Sequence, residues 1–390
     1  MDISIIDQNV TKFGVRKDVT YRELMEEAVF PILSNDIVNP SEIEGVIVSA
    51  GQPELLVNQA HVANLATEVL GLSPKYVNRA EMACSSGGVA IRQAYGAIKS
   101  GLVDNVLVIG IEKMTENIKN AVRGLCLVPD TVFESSQGMT AYSGFTLFAQ
   151  AHMKKFGTTR EQMAEISVKN HSFAEKNPKA HFYKHRMLPV TKEKVMESPM
   201  LSYPLSRLDA SPISDGASAV YLSRKDKAKK LPEVQVEITG TTQRVSAAFG
   251  TASIKDMTKF EPLIRASKEA YAMSEINSAK IDVAETHDCF TIAEILEYEA
   301  LGFCNEGEGG KFIEDQLSYP GGDVCVNPSG GLKAKGHPIG ATGVAQIASI
   351  TEQLKGIASG IQEANPEYGL TQNLSGFGTN QVVHILKRMN

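Results

Sequence analysis

The sequence has few cysteines and no excess of positive charge. Its 390 residues include only five cysteines, an odd number, and no two of them are spaced as Cys-x-x-Cys. We therefore expect neither a disulfide framework nor a structural zinc site. Lys and Arg number 39 against 45 for Asp and Glu, which gives a formal net charge of −6. General binding to nucleic acid or to an anionic membrane is not expected, because no basic field would attract a polyanion.

Long apolar runs and targeting signals are also missing. No apolar segment approaches the roughly 20 residues that span a membrane, and the N-terminal "MDISIIDQNVTKFG" lacks the basic-then-apolar pattern of a signal peptide. The final "LKRMN" is not a peroxisomal signal. A composition of 43% hydrophobic and 22% charged residues is typical of a globular protein. We expect a cytoplasmic protein with reduced thiols.

An internal repeat divides the sequence into two halves. A helix, a loop and a buried strand are predicted over residues 21–52 and again over residues 263–290. In each half a glycine-rich turn, a helix and a further strand follow. Alternating helices and strands predict an α/β fold with mixed or parallel sheets, its halves covering residues 1–232 and 233–390. Residues from about 117 to 210 differ in character and predict a partly helical insertion in the first half.

Cys84 lies in a run of small residues, "ACSSGG", at the start of a predicted helix. Free N–H groups and the positive end of the helix dipole would favour a thiolate there. The small residues 85–88 would let a substrate approach the backbone closely. From these residues alone, a nucleophile and a small side chain packed at a tight turn are equally good interpretations of Cys84.

Three further stretches carry candidate functional groups. His287 and Cys289 lie in "ETHDCF", directly after a predicted strand, where ligand sites of α/β sheets are found. His337 lies between glycines in "NPSGGLKAKGHPIGATG", and the glycine-rich "NLSGFG" supplies backbone N–H donors near the C-terminus. Neither phosphate-loop pattern, GxGxxG or GxxxxGK[ST], is matched. Taken singly, a capped strand end and a structural histidine explain these residues as well.

Together, and in this order, the four stretches resemble the thiolase superfamily over nearly the whole chain. "ACSSGG" is similar to the nucleophile motif of that family and "GHPIGATG" to its histidine motif. The resemblance implies the thiolase fold, with two similar five-layered αβαβα halves and a loop domain inserted in the first. "HDCF" stands where common thiolases have Asn-Glu-Ala-Phe, and "NLSGFG" lacks their C-terminal cysteine. Both departures resemble sterol-carrier-protein-type thiolases and archaeal acetoacetyl-CoA thiolases.

The resemblance implies a role for each candidate group. Cys84 would be the nucleophile that becomes acylated, and His337 would accept its proton. Cys289 would be the second acid/base, because in this branch the second catalytic cysteine has moved into the "HDCF" motif. His287 and His337 would form a first oxyanion site.

A second oxyanion site and the coenzyme A contacts are also implied. The backbone N–H of Cys84 would form the second oxyanion site with that of Ser375 or Gly376. For coenzyme A, the candidates are the basic residues Lys184, His185 and Arg186, and the stretch "GTTQRVSAAFG" at 240–250. A solvated surface patch explains each of the three basic residues equally well. No metal and no cofactor are expected, with coenzyme A as a substrate or product.

The function implied is that of an acetyl-CoA C-acetyltransferase, which joins two acetyl-CoA molecules into acetoacetyl-CoA or runs in reverse as a thiolysis. Archaeal enzymes of this type feed the mevalonate route to isoprenoids. They form tetramers in complex with hydroxymethylglutaryl-CoA synthase and a small zinc-ribbon/OB-fold protein. We therefore expect a homodimer or homotetramer, with those two proteins as candidate partners.

Three alternatives remain open at this stage. The first is a 3-ketoacyl-CoA thiolase for longer or branched chains, and the second is a thiolase-like subunit that only binds acyl-CoA or lipid. The third, a ketoacyl synthase acting on carrier proteins, fits poorly with the "HDCF" cysteine. Cys126, Cys304 and Cys325 receive no role, although Cys126 lies near the start of the insertion and could approach the pocket.

Overall fold

The computed structural model describes residues 2–389, and the strands in this range build one large sheet and one small hairpin. The strands are, in order, β1 (Ile3–Val10), β2 (Gly45–Ser49), β3 (Tyr76–Ala80), β4 (Asn105–Glu112), β5 (Met200–Ser202), β6 (Leu205–Ser206), β7 (Gly216–Arg224), β8 (Gln235–Val245), β9 (Val283–Glu285), β10 (Cys325–Val326), β11 (Tyr368–Ser375) and β12 (Asn380–Met389). The small hairpin consists of β5 and β6. β4 is buried along its whole length, as its apolar sequence NVLVIGI predicts.

The helices cover both faces of the large sheet. They are α1 (Tyr21–Leu33), α2 (Pro53–Leu56), α3 (Val62–Val69), α4 (Ser86–Lys99), α5 (Ile118–Leu125), α6 (Ala141–Phe156), α7 (Arg160–Ala174), α8 (Lys192–Glu197), α9 (Glu261–Met273), α10 (Thr291–Ala300), α11 (Gly309–Glu314) and α12 (Ile339–Lys355). Within residues 2–389, no helix combines the length and the hydropathy that crossing a bilayer requires.

The ten strands of the large sheet fall into two sets of five with the same order and the same directions. The first set runs β1-β7-β4-β2-β3 and the second β8-β12-β11-β9-β10. In each set the first three strands are antiparallel neighbours and the last three are parallel. The sets join where β1 pairs with β8, with Ser4 opposite Glu237. The sequence repeat is therefore also a repeat of sheet topology.

Helices α4 and α12 form a middle layer between the two halves of the sheet. They pack on each other, and each contacts strands from both sets. On the outer faces, α1 and α3 cover the first set and α9 covers the second. The two halves together therefore give one αβαβα arrangement of five layers. The resemblance implied five layers in each half, whereas each half contributes one set of strands, its outer helices and one of the two middle helices.

Glycines let the two middle helices approach closely. A Cβ on Gly87 would lie 2.7 Å from the backbone of Gly343 in α12, and a Cβ on Gly88 would lie 3.1 Å from the side-chain Cβ of Asn373 in β11. A side chain at Gly87 would thus collide with α12. The expectation that the small residues after Cys84 admit a substrate is wrong for these two glycines, since they serve packing between the layers.

Helices α5–α8 and the β5–β6 hairpin lie between β4 and β7 in sequence and reach across to the second half. Phe145 and Phe148 of α6 belong to the same apolar core as Phe260 and Phe290, and the Phe145 and Phe290 rings stack with centroids 4.6 Å apart. Helix α7 packs on the π-helical turn Gly331–Lys335. This segment therefore covers the carboxyl ends of the β-strands in the second half.

Candidate active site

The four motifs meet where parallel strands end. Cys84 follows β3, His287 and Cys289 follow β9, His337 lies between β10 and α12, and Gly376 follows β11. The turn that carries Cys84 also contacts α12 and β11, which belong to the other half. The Sγ of Cys84 and one ring nitrogen each of His287 and His337 all lie within 4.8 Å of one another. The structure therefore brings the predicted nucleophile and both histidines together.

Cys84 lies on a short 3₁₀ turn, Ala83–Ser85, directly before α4. Ala83 has φ +45°, in the left-handed region that costs a non-glycine residue free energy. Hydroxyl groups hold the turn, because Ser85 donates to the Met82 carbonyl at 2.9 Å and Ser86 donates to the Ala83 carbonyl at 2.6 Å. These contacts fix the backbone that carries the thiol.

The Cys84 thiol is neutral in the free protein. Burial, followed by the nearby carboxylate of Glu112, raises the pKa of Cys84 to about 12. The expectation that the helix end would favour a thiolate is therefore wrong. A helix terminus contributes only a small electrostatic stabilisation, and here loss of solvation and a like-charged neighbour outweigh it.

The raised pKa predicts slow alkylation of Cys84 in the free protein. Since only the thiolate reacts, about one molecule in 10⁵ would be reactive at pH 7, and the rate should rise about tenfold per pH unit up to pH 9.5. The measurement is the mass-spectrometric rate of Cys84 modification by iodoacetamide, with a small unhindered thiol as the reference. A rate that is already independent of pH between 7 and 9 would show a stabilised thiolate and contradict the prediction.

His337 is a neutral base with a defined tautomer. Burial lowers its pKa to about 4, so the imidazole is uncharged at neutral pH. Its Nδ1 lies 2.8 Å from the hydroxyl of Thr342, and that hydroxyl donates to the Pro338 carbonyl at 3.0 Å. Because the hydroxyl hydrogen is used there, Thr342 accepts from Nδ1–H, which leaves a lone pair on Nε2.

His287 is fully buried beside His337. Its ring lies 4.9 Å from that of His337 at an interplanar angle of 89°. Burial, and then His337, hold the pKa of His287 well below its ordinary value. Nδ1 lies 2.9 Å from Nδ2 of Asn373, whereas Nε2 is buried without a hydrogen-bond partner among the described residues.

Cys289 is a second neutral thiol at the same site. It is buried, and burial, followed by repulsion from Cys84, raises its pKa well above the ordinary value. Cys289 and Cys84 line the same cavity. The backbone around Cys289 is held on both sides, because its N–H donates to the His287 carbonyl at 2.7 Å and its carbonyl accepts from Ser211 at 2.9 Å.

Two acidic residues that the sequence analysis missed support the site. Asp288 accepts hydrogen bonds from the backbone N–H groups of Leu332 and Lys333 at 2.6 and 3.1 Å, which ties the "HDCF" segment to the loop leading to His337. Glu112 accepts from the backbone of Gly51 at 2.6 Å and of Gly340 at 3.0 Å. The one signal for Glu112 was a single charge at the end of the apolar strand NVLVIGI.

A cavity of about 350 Å³ opens onto these groups. Cys84, His287, Cys289 and His337 all line it, and most of the remaining wall is apolar. The apolar wall comes from the inserted segment, from residues 210–213 and from three side chains of the second half, namely Phe290, Leu374 and Phe377. The reactive groups therefore line a largely apolar pocket.

Of the predicted oxyanion donors near the C-terminus and the three cysteines without an assigned role, only some line the cavity. Gly376, with φ +62°, lines the cavity, whereas Ser375 is a buried strand residue that does not. Cys126 also lines the cavity. Cys304 is half-buried and Cys325 is buried in β10, and neither lines it.

The two sets of residues predicted to contact coenzyme A lie in different places relative to the cavity. Lys184 and Arg186 are exposed and His185 is half-buried, and none of the three lines the cavity. Residues 245–248, from the stretch at 240–250, instead line a second groove of about 650 Å³. Phe377 belongs to the walls of both spaces, so the groove adjoins the cavity.

Cys84, His287 and His337 are also of the residue types that bind zinc, and they would leave an open coordination position. Binding a metal there would release the proton of Cys84, because a cysteine coordinates zinc as the thiolate. The absence of a metal from the reaction stays a prediction.

Known protein families match both halves of the chain. Residues 3–226 match the family described as Thiolase, N-terminal domain, and residues 245–388 match Thiolase C-terminal domain-like. The fold and the site thus define an α/β protein with a cysteine nucleophile candidate between two histidines.

Named relatives and a solved structure agree with this class. The acetyl-CoA acetyltransferase of Methanothermobacter thermautotrophicus is 39% identical over 99% of this chain and 100% of that protein. The acetyl-CoA acetyltransferase of Methanocaldococcus jannaschii is 37% identical over 99% of this chain and 98% of that protein. The solved structure named Ltp2-ChsH2(DUF35) aldolase has a TM-score of 0.85 at 22% identity, covering 99% of this chain and 98% of that chain. The chain belongs to the thiolase family and is an acyltransferase of that family.

Proposed function

We propose that the protein is an acetyl-CoA C-acetyltransferase that works through an acyl-cysteine on Cys84. The observation that carries this proposal is the convergence of Cys84, His287 and His337 within 4.8 Å in the lining of a largely apolar cavity. The two archaeal relatives that bear this name are similar over their whole length. A buried thiol beside a neutral imidazole is the pairing that acyl transfer requires.

In the first half-reaction, the Cys84 sulfur attacks the thioester carbon of acetyl-CoA while its proton passes to His337. The bond from carbon to the coenzyme A sulfur breaks, and Cys289 donates its proton to that sulfur. The neutral state of His337 suits it to accept a proton, and the raised pKa of Cys84 makes this acceptance necessary. His287 and the protonated His337 would donate to the substrate oxygen.

In the second half-reaction, Cys289 is the base. Having lost its proton, its thiolate removes one from the α-carbon of a second acetyl-CoA, and that carbon attacks the acyl carbon on Cys84. The sulfur of Cys84 leaves and takes back the proton held by His337, so that acetoacetyl-CoA is formed and both thiols are restored. A raised pKa makes the Cys289 thiolate a strong base, which supports this role.

The groove beside the cavity is the proposed path of coenzyme A. It is lined by residues 245–248 and by the cationic side chains of Lys255, Lys259 and Arg265, which would favour phosphate groups. Asp256 and Glu261 also line it and form ion pairs with Lys259 and Arg265, respectively, so the charge of these two cations is partly neutralised. This location replaces Lys184, His185 and Arg186 as our first candidates for coenzyme A contacts.

The test is the cleavage of acetoacetyl-CoA by the purified protein. We expect thiolysis that requires free coenzyme A and yields two acetyl-CoA per acetoacetyl-CoA, measured by loss of the substrate absorbance and by product chromatography. A preparation that neither cleaves acetoacetyl-CoA nor acquires an acetyl group from acetyl-CoA would contradict the proposal.

A second candidate is a thiolase for longer or bulkier acyl chains, and the size of the apolar cavity favours it. A volume of about 350 Å³ with walls such as Leu125, Tyr142 and Phe290 exceeds the needs of an acetyl group. Thiolysis of 3-ketoacyl-CoA substrates of increasing length separates the candidates. If kcat/KM is highest for acetoacetyl-CoA, the first function holds, and a maximum at longer chains supports the second.

A homodimer or homotetramer and association with other proteins are part of the proposal. The name of one structural neighbour, Ltp2-ChsH2(DUF35) aldolase, pairs a thiolase-fold chain with a DUF35 protein. This is support for a small protein partner, whereas hydroxymethylglutaryl-CoA synthase rests on the sequence resemblance alone.

A further inference from the structure

We infer that Asn373, on β11, is a positioning residue that holds His287 in the tautomer with its proton on Nε2. The Asn373 side chain contacts three parts of the site: the Cys84 carbonyl, the N–H of Gly88 in α4 and the imidazole of His287. Asn373 is itself buried. This inference deepens the proposed function, since His287 is there an oxyanion donor.

The orientation of the Asn373 amide is determined by two backbone groups. A backbone N–H can only donate, so the contact of 3.0 Å from Gly88 N must be accepted by Oδ1. A carbonyl can only accept, so the contact of 3.2 Å to the Cys84 oxygen must be made by Nδ2. If the amide were turned around, its NH₂ group would face the N–H of Gly88 and its oxygen would face the carbonyl of Cys84, so neither hydrogen bond could form. The group facing His287 is therefore the donor NH₂.

The tautomer of His287 follows from this orientation. Nδ1, at 2.9 Å from Asn373 Nδ2, must accept a hydrogen bond and so carries no proton. A neutral imidazole then has its hydrogen on Nε2, the buried nitrogen that has no partner among the described residues. His287 lines the cavity. The site thus holds one donor, on His287, and one acceptor, on His337, before substrate arrives.

The matched change is Asn373→Asp, which keeps the size of the side chain. One carboxylate oxygen can still accept from Gly88, but the other replaces the NH₂ group and draws a proton onto His287 Nδ1. The ring then either loses its hydrogen from Nε2 or becomes a cation beside His337, which would make His337 a weaker base. Loss of the Nε2 hydrogen should lower kcat by about 10²-fold or more, the typical effect of one lost oxyanion donor, with a smaller change in KM. The cation keeps that donor and should lower kcat through the weaker base at His337.

The decisive readout is the ¹⁵N NMR spectrum of protein labelled at histidine, in which the His287 signals are identified by their loss in His287→Asn. We expect an unprotonated Nδ1 in the original protein and a protonated Nδ1 in Asn373→Asp. Asn380→Ala is the control, because Asn380 donates to Ser85 Oγ at 2.6 Å and so supports the same turn without contacting His287. It should leave the His287 signals unchanged.

Three results would overturn the inference: a proton on Nδ1 in the original protein, an unprotonated Nδ1 in Asn373→Asp, or the same change of tautomer in Asn380→Ala. A fall in kcat without a change at Nδ1 would likewise show a merely structural role. The NMR result does not depend on turnover. If the tautomer behaves as expected but no acyl-CoA is cleaved, the positioning role stands and the proposed function fails.

Discussion

Replacing Cys84 with alanine is expected to abolish acyl transfer, lowering kcat on the order of 10⁶-fold, as loss of the nucleophile does in other enzymes that form covalent intermediates. The other thiol at the site, Cys289, is not expected to take over the attack, because burial raises its pKa and it is itself protonated in the free protein. The measurement is CoA-dependent cleavage of acetoacetyl-CoA, together with the mass of the protein after incubation with acetyl-CoA.

Cys304→Ala is the control for this change, since Cys304 is a half-buried thiol that does not line the cavity. We expect it to retain turnover and to acquire one acetyl group. Cys84→Ala should acquire none while keeping its fold, as judged by circular dichroism. If Cys84→Ala were still acetylated on another residue and turned over, Cys84 would not be the nucleophile.

The two α/β halves were predictable because they repeat the same pattern, and the resemblance of four motifs to the thiolase superfamily implied the particular fold. A strand such as NVLVIGIE, apolar along its length, predicts a buried central strand, and the structure has it as β4. The glycine-rich turn before α12 predicted the start of a helix. What could not be predicted is the pairing of β1 with β8, which joins the two sets of strands through contacts far apart in sequence.

Those parts of the site carried by motifs were predictable, whereas the groups that tune them were not. Cys84, His287, Cys289 and His337 each lie in a stretch that resembles a thiolase motif, and this resemblance implied that they meet at one site. The pKa of Cys84 depends on burial and on Glu112, which is 28 residues away in sequence. Helix position suggested a thiolate, but the surroundings of the thiol decide its charge, and they exist only in the folded chain.

Asn373 and Gly87 illustrate the same limit. The "NLSGFG" motif directed attention to its glycines, but the side chain of Asn373 makes the contacts that join the two halves at the site. Gly87 seemed to make room for a substrate, but it makes room for α12. A small residue or an amide in a loop has a visible role only when its neighbours from the other half are known.

The second large effect is expected for Cys289→Ala, which should stop turnover but not acylation. Coenzyme A can leave as a thiolate, because an ordinary thiol has a pKa near 8.5, so the first half-reaction needs no strong acid. Removing a proton from the α-carbon does need a base, and a base typically contributes 10²–10⁴-fold. We therefore expect kcat for condensation or thiolysis to fall by about 10⁴-fold, with one acetyl group retained on Cys84.

The experiment is rapid mixing of Cys289→Ala with acetyl-CoA, followed by mass measurement of the Cys84 peptide and of the coenzyme A released. One equivalent of coenzyme A should appear in a burst, with no acetoacetyl-CoA after it. Cys325→Ala is the matched control, because Cys325 is a buried thiol in β10 that does not line the cavity, and it should keep turnover. If Cys289→Ala formed no acyl-enzyme at all, the proton of Cys289 would be required for the departure of coenzyme A, and the expectation that acylation proceeds without Cys289 would be wrong.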